Sequence, residues 1–192
     1  MAAETAGDIS VTTALQPGMI YYKLQAERFG DNGVFFNPAG NNRFSLPDHS
    51  KFPMYMADSP HTACHEFYQE EKFIAQDDFR RNCMAEIRIM RAVRVFDEKK
   101  LAPHLGVAVG DLMGPKSRYC YTQALAKSLS FCADGLIYLS RYTGDPCLVL
   151  WSDSTDGNGM VTTDSVTPLC RYRHNGMTAK QILKAQLNIR LT

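Results

Sequence analysis

Apolar and polar positions along the chain follow two periods in turn. Met84–Met90 (MAEIRIM) alternates residue by residue, as a strand with one buried face does, and Val93–Phe96 resumes after a break. Met19–Leu24 (MIYYKL) is rich in β-formers, and Met54–Ala57 reads as another short strand. Leu136–Leu139 and Cys147–Trp151 are unbroken apolar runs, the pattern of strands buried on both faces. Helical spacing takes over at Pro60–Lys72, where Ala63, Cys64, Phe67 and Glu71 recur in register. Asp58-Ser59-Pro60 supplies it with a hydroxyl N-cap and a proline at the first helical position. Tyr121–Cys132 repeats the helical period, with Ala124, Leu125, Leu129 and Cys132 on one face and Gly135 as its cap. Asp97–Leu101 fits a single helical turn. Thr178 caps a last amphipathic helix that turns Ile182, Leu183 and Leu187 inward.

Residues 25–53 are dense in turn formers (GDNG, NPAGNN, LPDHSKFP), and connections that long are usually functional or disordered. Strands and helices alternate without a strict strand–helix–strand period, which predicts an α+β fold around a mixed sheet. The expected organisation is a loose leader over 1–18, one domain over 19–152, and an extension over 153–192. That extension begins with a linker-like run, SDSTDGNG, and packs its short helix on the same domain.

Composition narrows the function classes. The chain has 192 residues, enough for one well-filled core, with 45% apolar and 21% charged residues. Basic and acidic residues number 21 and 20, a net charge of +1, so no bulk field draws the protein to nucleic acid or an anionic membrane. Anion recognition must therefore be local. The start of the chain lacks the basic and apolar segments of a secretory signal, and no run approaches the roughly 20 apolar residues of a membrane helix. The six cysteines are scattered, mostly inside apolar segments and without a C-x-x-C pair, which reads as reduced, buried thiols in a cytoplasmic protein.

Several motifs are decoys. GDLMGPKS (110–117) lacks the spacing of a phosphate loop. His61 and His65 stand one helical turn apart, but the zinc-protease pattern around them is incomplete, and no metal is expected. Cys64 and His65 are helix neighbours pointing about 100° apart, not a nucleophile–base pair. DSTDGNG (153–159) lacks the acid spacing of a calcium loop.

Three polar residues stand out in apolar or turn-like settings: Arg43 in GNNRFS, Glu66 beside Ala63, Cys64 and Phe67, and Ser140 at the end of an apolar run. In this order the chain resembles the RES domain family, named for its arginine, glutamate and serine. The resemblance runs from about Tyr21 to Trp151. Tyr22-Lys23 stands at the family's "YR" start, and Gly40-Asn41-Asn42-Arg43-Phe44-Ser45 at its glycine-rich arginine loop. Tyr55, Ala57, Ser59, Ala63 and Glu66 follow its strand–helix pattern, and Asp134–Arg141 its aliphatic–Tyr–x–Ser segment. Lys23 replaces an arginine, Asn41-Asn42 a glycine pair, Phe44 a tryptophan and Ser45 an asparagine.

The resemblance implies an ADP-ribosyltransferase-like fold with a split sheet and flanking helices, and an enzyme that consumes NAD+. It implies cleavage of the nicotinamide–ribose bond with water or phosphate as acceptor. Many members are toxins, so an antitoxin or immunity protein is the expected partner, and a homo-oligomer is compatible with the pattern. Transfer of ADP-ribose to a protein, or a non-catalytic binding module on the same fold, are the alternatives. The residue types suit the first reading. A planar guanidinium, Arg43, grips a pyrophosphate at two points, and Lys23 adds a point charge. A carboxylate, Glu66, stabilises the cation that develops on the ribose, holds a ribose hydroxyl or steers a water. Ser140 is expected to hydrogen-bond the nicotinamide-side ribose or amide. Tyr22 belongs to the same binding set. Tyr55 and Tyr138 offer rings for stacking, although core packing is the better reading for Tyr138. Arg141 either bonds a phosphate or pairs with Asp145, the pairing being favoured.

Overall fold

The computed structural model describes residues 11–192; the first ten residues of the expected leader lie outside the described residues. In chain order the elements are β1 (Thr12–Leu15), β2 (Ile20–Ala26), β3 (Phe52–Ala57), α1 (Pro60–Tyr68), β4 (Phe73–Ile74) and α2 (Gln76–Arg80). β5 (Asn82–Ile89), β6 (Val93–Asp97), α3 (Glu98–His104), α4 (Val109–Leu112) and α5 (Tyr119–Leu129) follow. The chain closes with β7 (Gly135–Leu139), β8 (Pro146–Ser152), β9 (Val161–Pro168), β10 (Arg173–His174), β11 (Met177–Thr178), α6 (Ala179–Leu187) and β12 (Arg190–Leu191).

Eight strands form one mixed sheet in the order β1-β6-β7-β8-β3-β2-β5-β9, in which only β6 and β7 run parallel. The ladder is nearly cut at one point. β2 meets β3 through the single pair Tyr22–Ala57, whereas β2 pairs β5 along its whole length, as β3 does β8. The sheet is mixed, as the pattern predicted, and split between β2 and β3, as the family resemblance implied. Apolar residues fill both of its sides. One core joins Leu136, Val149, Trp151 and Met84 to α1, α5 and α6, and the other joins Met54, Ile87, Val95, Leu148 and Leu150 to Val34 and Phe36 of the irregular segment before β3.

Several expectations are corrected. Residues 12–15 of the predicted loose leader pair with β6. β9 lies in the predicted extension, yet it closes the sheet edge against β5. The first helix ends at Tyr68 rather than Lys72, because Gln69 turns to φ 54° and Phe73–Ile74 is captured by β12. Gly135 is not a helix cap. It opens β7, where a side chain would collide with Val149 and Leu150 of β8. The turn at 97–101 extends to His104. Thr178 does cap α6, with Gln181 returning a bond to the Thr178 backbone. All six cysteines are free, and Cys120 and Cys170 are exposed rather than buried. No helix among the described residues is long and apolar enough to cross a membrane.

Candidate active site

β3, β6 and β7 run the same way, so their carboxyl ends share one edge of the sheet. Asp58, Glu98 and Ser140 leave those ends, and the split between β2 and β3 opens beside them. A cleft of about 510 Å³ occupies the split. Arg43, Glu66, Tyr22, Lys23 and Tyr55 line it, and Tyr138 forms part of its floor.

Arg43 comes from the irregular segment, but its backbone is anchored. Thr122 Oγ1 donates to the Arg43 carbonyl at 2.6 Å, and Gln123 Nε2 donates to the Asn42 carbonyl at 2.9 Å. Phe44 N–H donates to the Tyr55 hydroxyl at 3.0 Å, and Trp151 Nε1 donates to the Phe44 carbonyl at 2.9 Å. Gly40 completes the approach, since a Cβ there would meet Pro53 at 2.8 Å. The segment expected to be functional or disordered is thus held from three sides. Among the described residues no carboxylate lies within salt-bridge reach of the Arg43 guanidinium, so its charge remains available to a ligand.

Glu66 projects from α1 and is half-buried. Ser140 Oγ donates to Glu66 Oε1 at 2.6 Å while accepting the Tyr142 and Thr143 N–H groups, both at 3.2 Å. Two donors occupy the hydroxyl's lone pairs, so its own hydrogen is committed to the carboxylate. Ser140 is fully buried and does not line the cleft. The expected contact from Ser140 to a ribose or amide is therefore replaced by a hold on Glu66.

A clasp fixes α1 against the 140–146 turn that carries this serine. His61 Nε2 meets Asp145 Oδ2 at 2.9 Å, and Thr62 Oγ1 donates to the same oxygen at 3.1 Å. Burial tends to raise the Asp145 carboxyl, but bonds from His61, Thr143 and Thr62 outweigh it and hold its pKa below the usual aspartate value. The pairing expected between Arg141 and Asp145 does not form. Arg141 is exposed, reaches Glu70 at 3.4 Å, lies over the Tyr142 ring and is not among the residues that line the cleft.

The remaining predicted binding residues do reach the cleft. Lys23 Nζ donates to the Gly33 carbonyl at 3.1 Å, and burial lowers its pKa to about 8. Tyr22 sits at the split itself, edge-on to His174. Tyr55 stands edge-on to Tyr138, which is buried and packs against Phe44. His65 stacks on Tyr142, and burial lowers its pKa. No group of three or more His, Cys, Asp and Glu side chains among the described residues is placed to hold a metal.

Two features escaped the sequence reading. Phe29 and Phe35 line the cleft while remaining about half exposed, at 56% and 47%. Their segment reads as turn formers, so the rings carried no periodic signal. Glu98, behind the floor, is a fully buried acid whose Oε2 accepts the Leu139 N–H at 2.6 Å. An acid one residue past a strand reads in sequence as an ordinary first-turn helix residue.

A family model described as "RES domain" matches residues 21–170. No curated protein sequence matches the chain. Among solved structures, the crystal structure of the M. tuberculosis MbcT–MbcA toxin–antitoxin complex holds a chain with the same fold. It superposes with a TM-score of 0.63 at 13% identity, covering 91% of this chain and 92% of that one.

Proposed function

The chain belongs to the RES domain family, and on that premise we propose that it cleaves the nicotinamide–ribose bond of NAD+. The observation that carries this reading is the convergence of Arg43 and Glu66, far apart in sequence, on one cleft in the split of the sheet. The volume of about 510 Å³ is within the range of sites that enclose small molecules and cofactors.

In this reading the unpaired Arg43 fork takes the pyrophosphate, and Lys23 adds charge from the opposite wall. The nicotinamide ring carries its positive charge before the bond breaks, so it needs no proton to leave. The C1′–N bond electrons go to the ring nitrogen, and positive charge builds on the ribose. Glu66, held by Ser140 through one oxygen, offers the other to that ribose. Water then adds to C1′ and loses a proton, giving ADP-ribose, or phosphate adds and gives the 1″-phosphate. Arg43 and Glu66 are the residues assigned to the chemistry, Ser140 holds Glu66, and Tyr22, Lys23 and Tyr55 complete the binding wall. The catalytic unit centred on 19–152 is completed by β1 and β9, the two edge strands of its sheet.

The solved structure with the same fold is named as part of a toxin–antitoxin complex. We carry that to this chain as a proposal: a toxin acting on NAD+ in the cytoplasm, restrained by a cognate antitoxin or immunity protein. The test is chromatography of NAD+ incubated with purified protein, with and without phosphate. Free nicotinamide with ADP-ribose or its phosphate is the expected outcome. Intact NAD+ under both conditions rejects the reading, and label transferred to a protein target redirects it to ADP-ribosylation.

A further inference from the structure

Glu98 opens α3 directly after β6 and has no exposed surface. Its Oε2 accepts the Leu139 N–H, one residue before the serine that holds Glu66. Its Oε1 is buried and meets no donor among the described residues. Arg43 shows the complementary defect: its Nε is buried and meets no acceptor among the described residues. A buried ionisable atom persists only with compensation, and these two are orphans of opposite sign, Arg43 half-buried in the cleft wall and Glu98 fully buried outside the lining, with no salt bridge between them. The charged side chains that act on Glu98 are Arg43, which attracts, and Asp97 beside it, which repels.

We propose that Glu98 is a positioning residue for Arg43. Its buried carboxylate, beyond salt-bridge distance, is the counter-charge that biases the Nε edge of the guanidinium inward, leaving the two terminal nitrogens to the pyrophosphate. This inference rests on the NAD+ reading of the cleft for its kinetic consequence, but the pairing itself does not.

Burial raises the Glu98 carboxyl to about 7, while the Leu139 N–H and Arg43 pull it down. Protonation on the acid side of neutrality therefore removes the counter-charge and loosens Arg43. Lys23 in the cleft and His65 on α1 also have lowered pKa values, and neither Glu98 nor Arg43 is among the groups that act on them.

Two measurements test it. The first is a ¹³C carboxyl titration of Glu98, assigned through the backbone, in the parent and in Arg43→Ala. Loss of the arginine should move the Glu98 midpoint upward, and an unmoved midpoint overturns the pairing whether or not the protein consumes NAD+. The second is steady-state kinetics of Glu98→Gln, which keeps an acceptor for Leu139. The KM for NAD+ should rise about tenfold with kcat within about threefold. The parent KM should climb as pH falls through about 7, and that limb should be absent in the variant. A variant profile that superposes on the parent overturns the proposal. Should Glu98→Gln fail to fold, the titration of Arg43→Ala decides alone. A parent that leaves NAD+ intact rejects the functional reading and not the pairing.

Discussion

Ser140→Ala separates a residue that touches substrate from one that acts through Glu66. The hydroxyl is fully buried and makes three hydrogen bonds, of which the shortest, 2.6 Å, runs to the Glu66 carboxylate. A hydrogen bond to a charged group contributes about 1.5–3 kcal/mol. If all of it orients Glu66 in the transition state, kcat/KM falls by roughly 10- to 150-fold. The freed Tyr142 and Thr143 N–H groups lie at the turn and regain part of their bonding from water, so the loss of stability should stay near the lower end of about 1–3 kcal/mol. The assay is NAD+ consumption by four proteins: the parent, Ser140→Ala, Glu66→Gln and the double variant, with thermal melts to confirm folding. Because Ser140 works through Glu66, adding Ser140→Ala to Glu66→Gln should cost little more. If the serine change slows Glu66→Gln by the same factor as the parent, Ser140 meets the substrate itself and the geometry has been misread.

Arg43→Lys keeps the charge but loses the fork, and kcat/KM for NAD+ should fall by at least about tenfold, mostly through KM. Lys23 carries a proton below about pH 8 and loses it above, so KM should rise as pH increases through that value. Lys23→Arg, charged throughout, should abolish that alkaline limb in the same KM–pH series. Gly135→Ala places a methyl against the Val149 carbonyl and Leu150, and urea unfolding should show about 1–3 kcal/mol of destabilisation with an unchanged slope.

The elements legible in the chain were those whose burial is one-sided or total. Ala85–Ile89 alternates because β5 turns Ala85, Ile87 and Ile89 to the second core, with Met84 before them in the first, and Cys147–Trp151 is apolar throughout because both faces of β8 are covered. β1 and β9 were missed for the converse reason. They are the edge strands, and TTAL and VTTDSVTP carry threonine, serine and aspartate where water wets them. The end of α1 was misjudged because its stop is non-local: Phe73–Ile74 pairs with Arg190–Leu191 at the far end of the chain. Arg43 and Glu66 were found through an ordered pattern of weak motifs, and the fold brings them together. The direction of the Ser140 hydroxyl was not legible, since it depends on two backbone N–H groups of a turn whose shape only the β7–β8 connection defines. The Arg141 partner was not legible: Asp145 Oδ2 takes His61 from α1, and Arg141 reaches Glu70 instead.

The most direct measurement is a crystal structure of Glu66→Gln, which should bind NAD+ and cleave it far more slowly than the parent. The dinucleotide should lie in the split between β2 and β3, its pyrophosphate on Arg43 and its nicotinamide-side ribose against residue 66. NAD+ bound elsewhere on the molecule, or an empty cleft at saturating NAD+, would contradict the assignment.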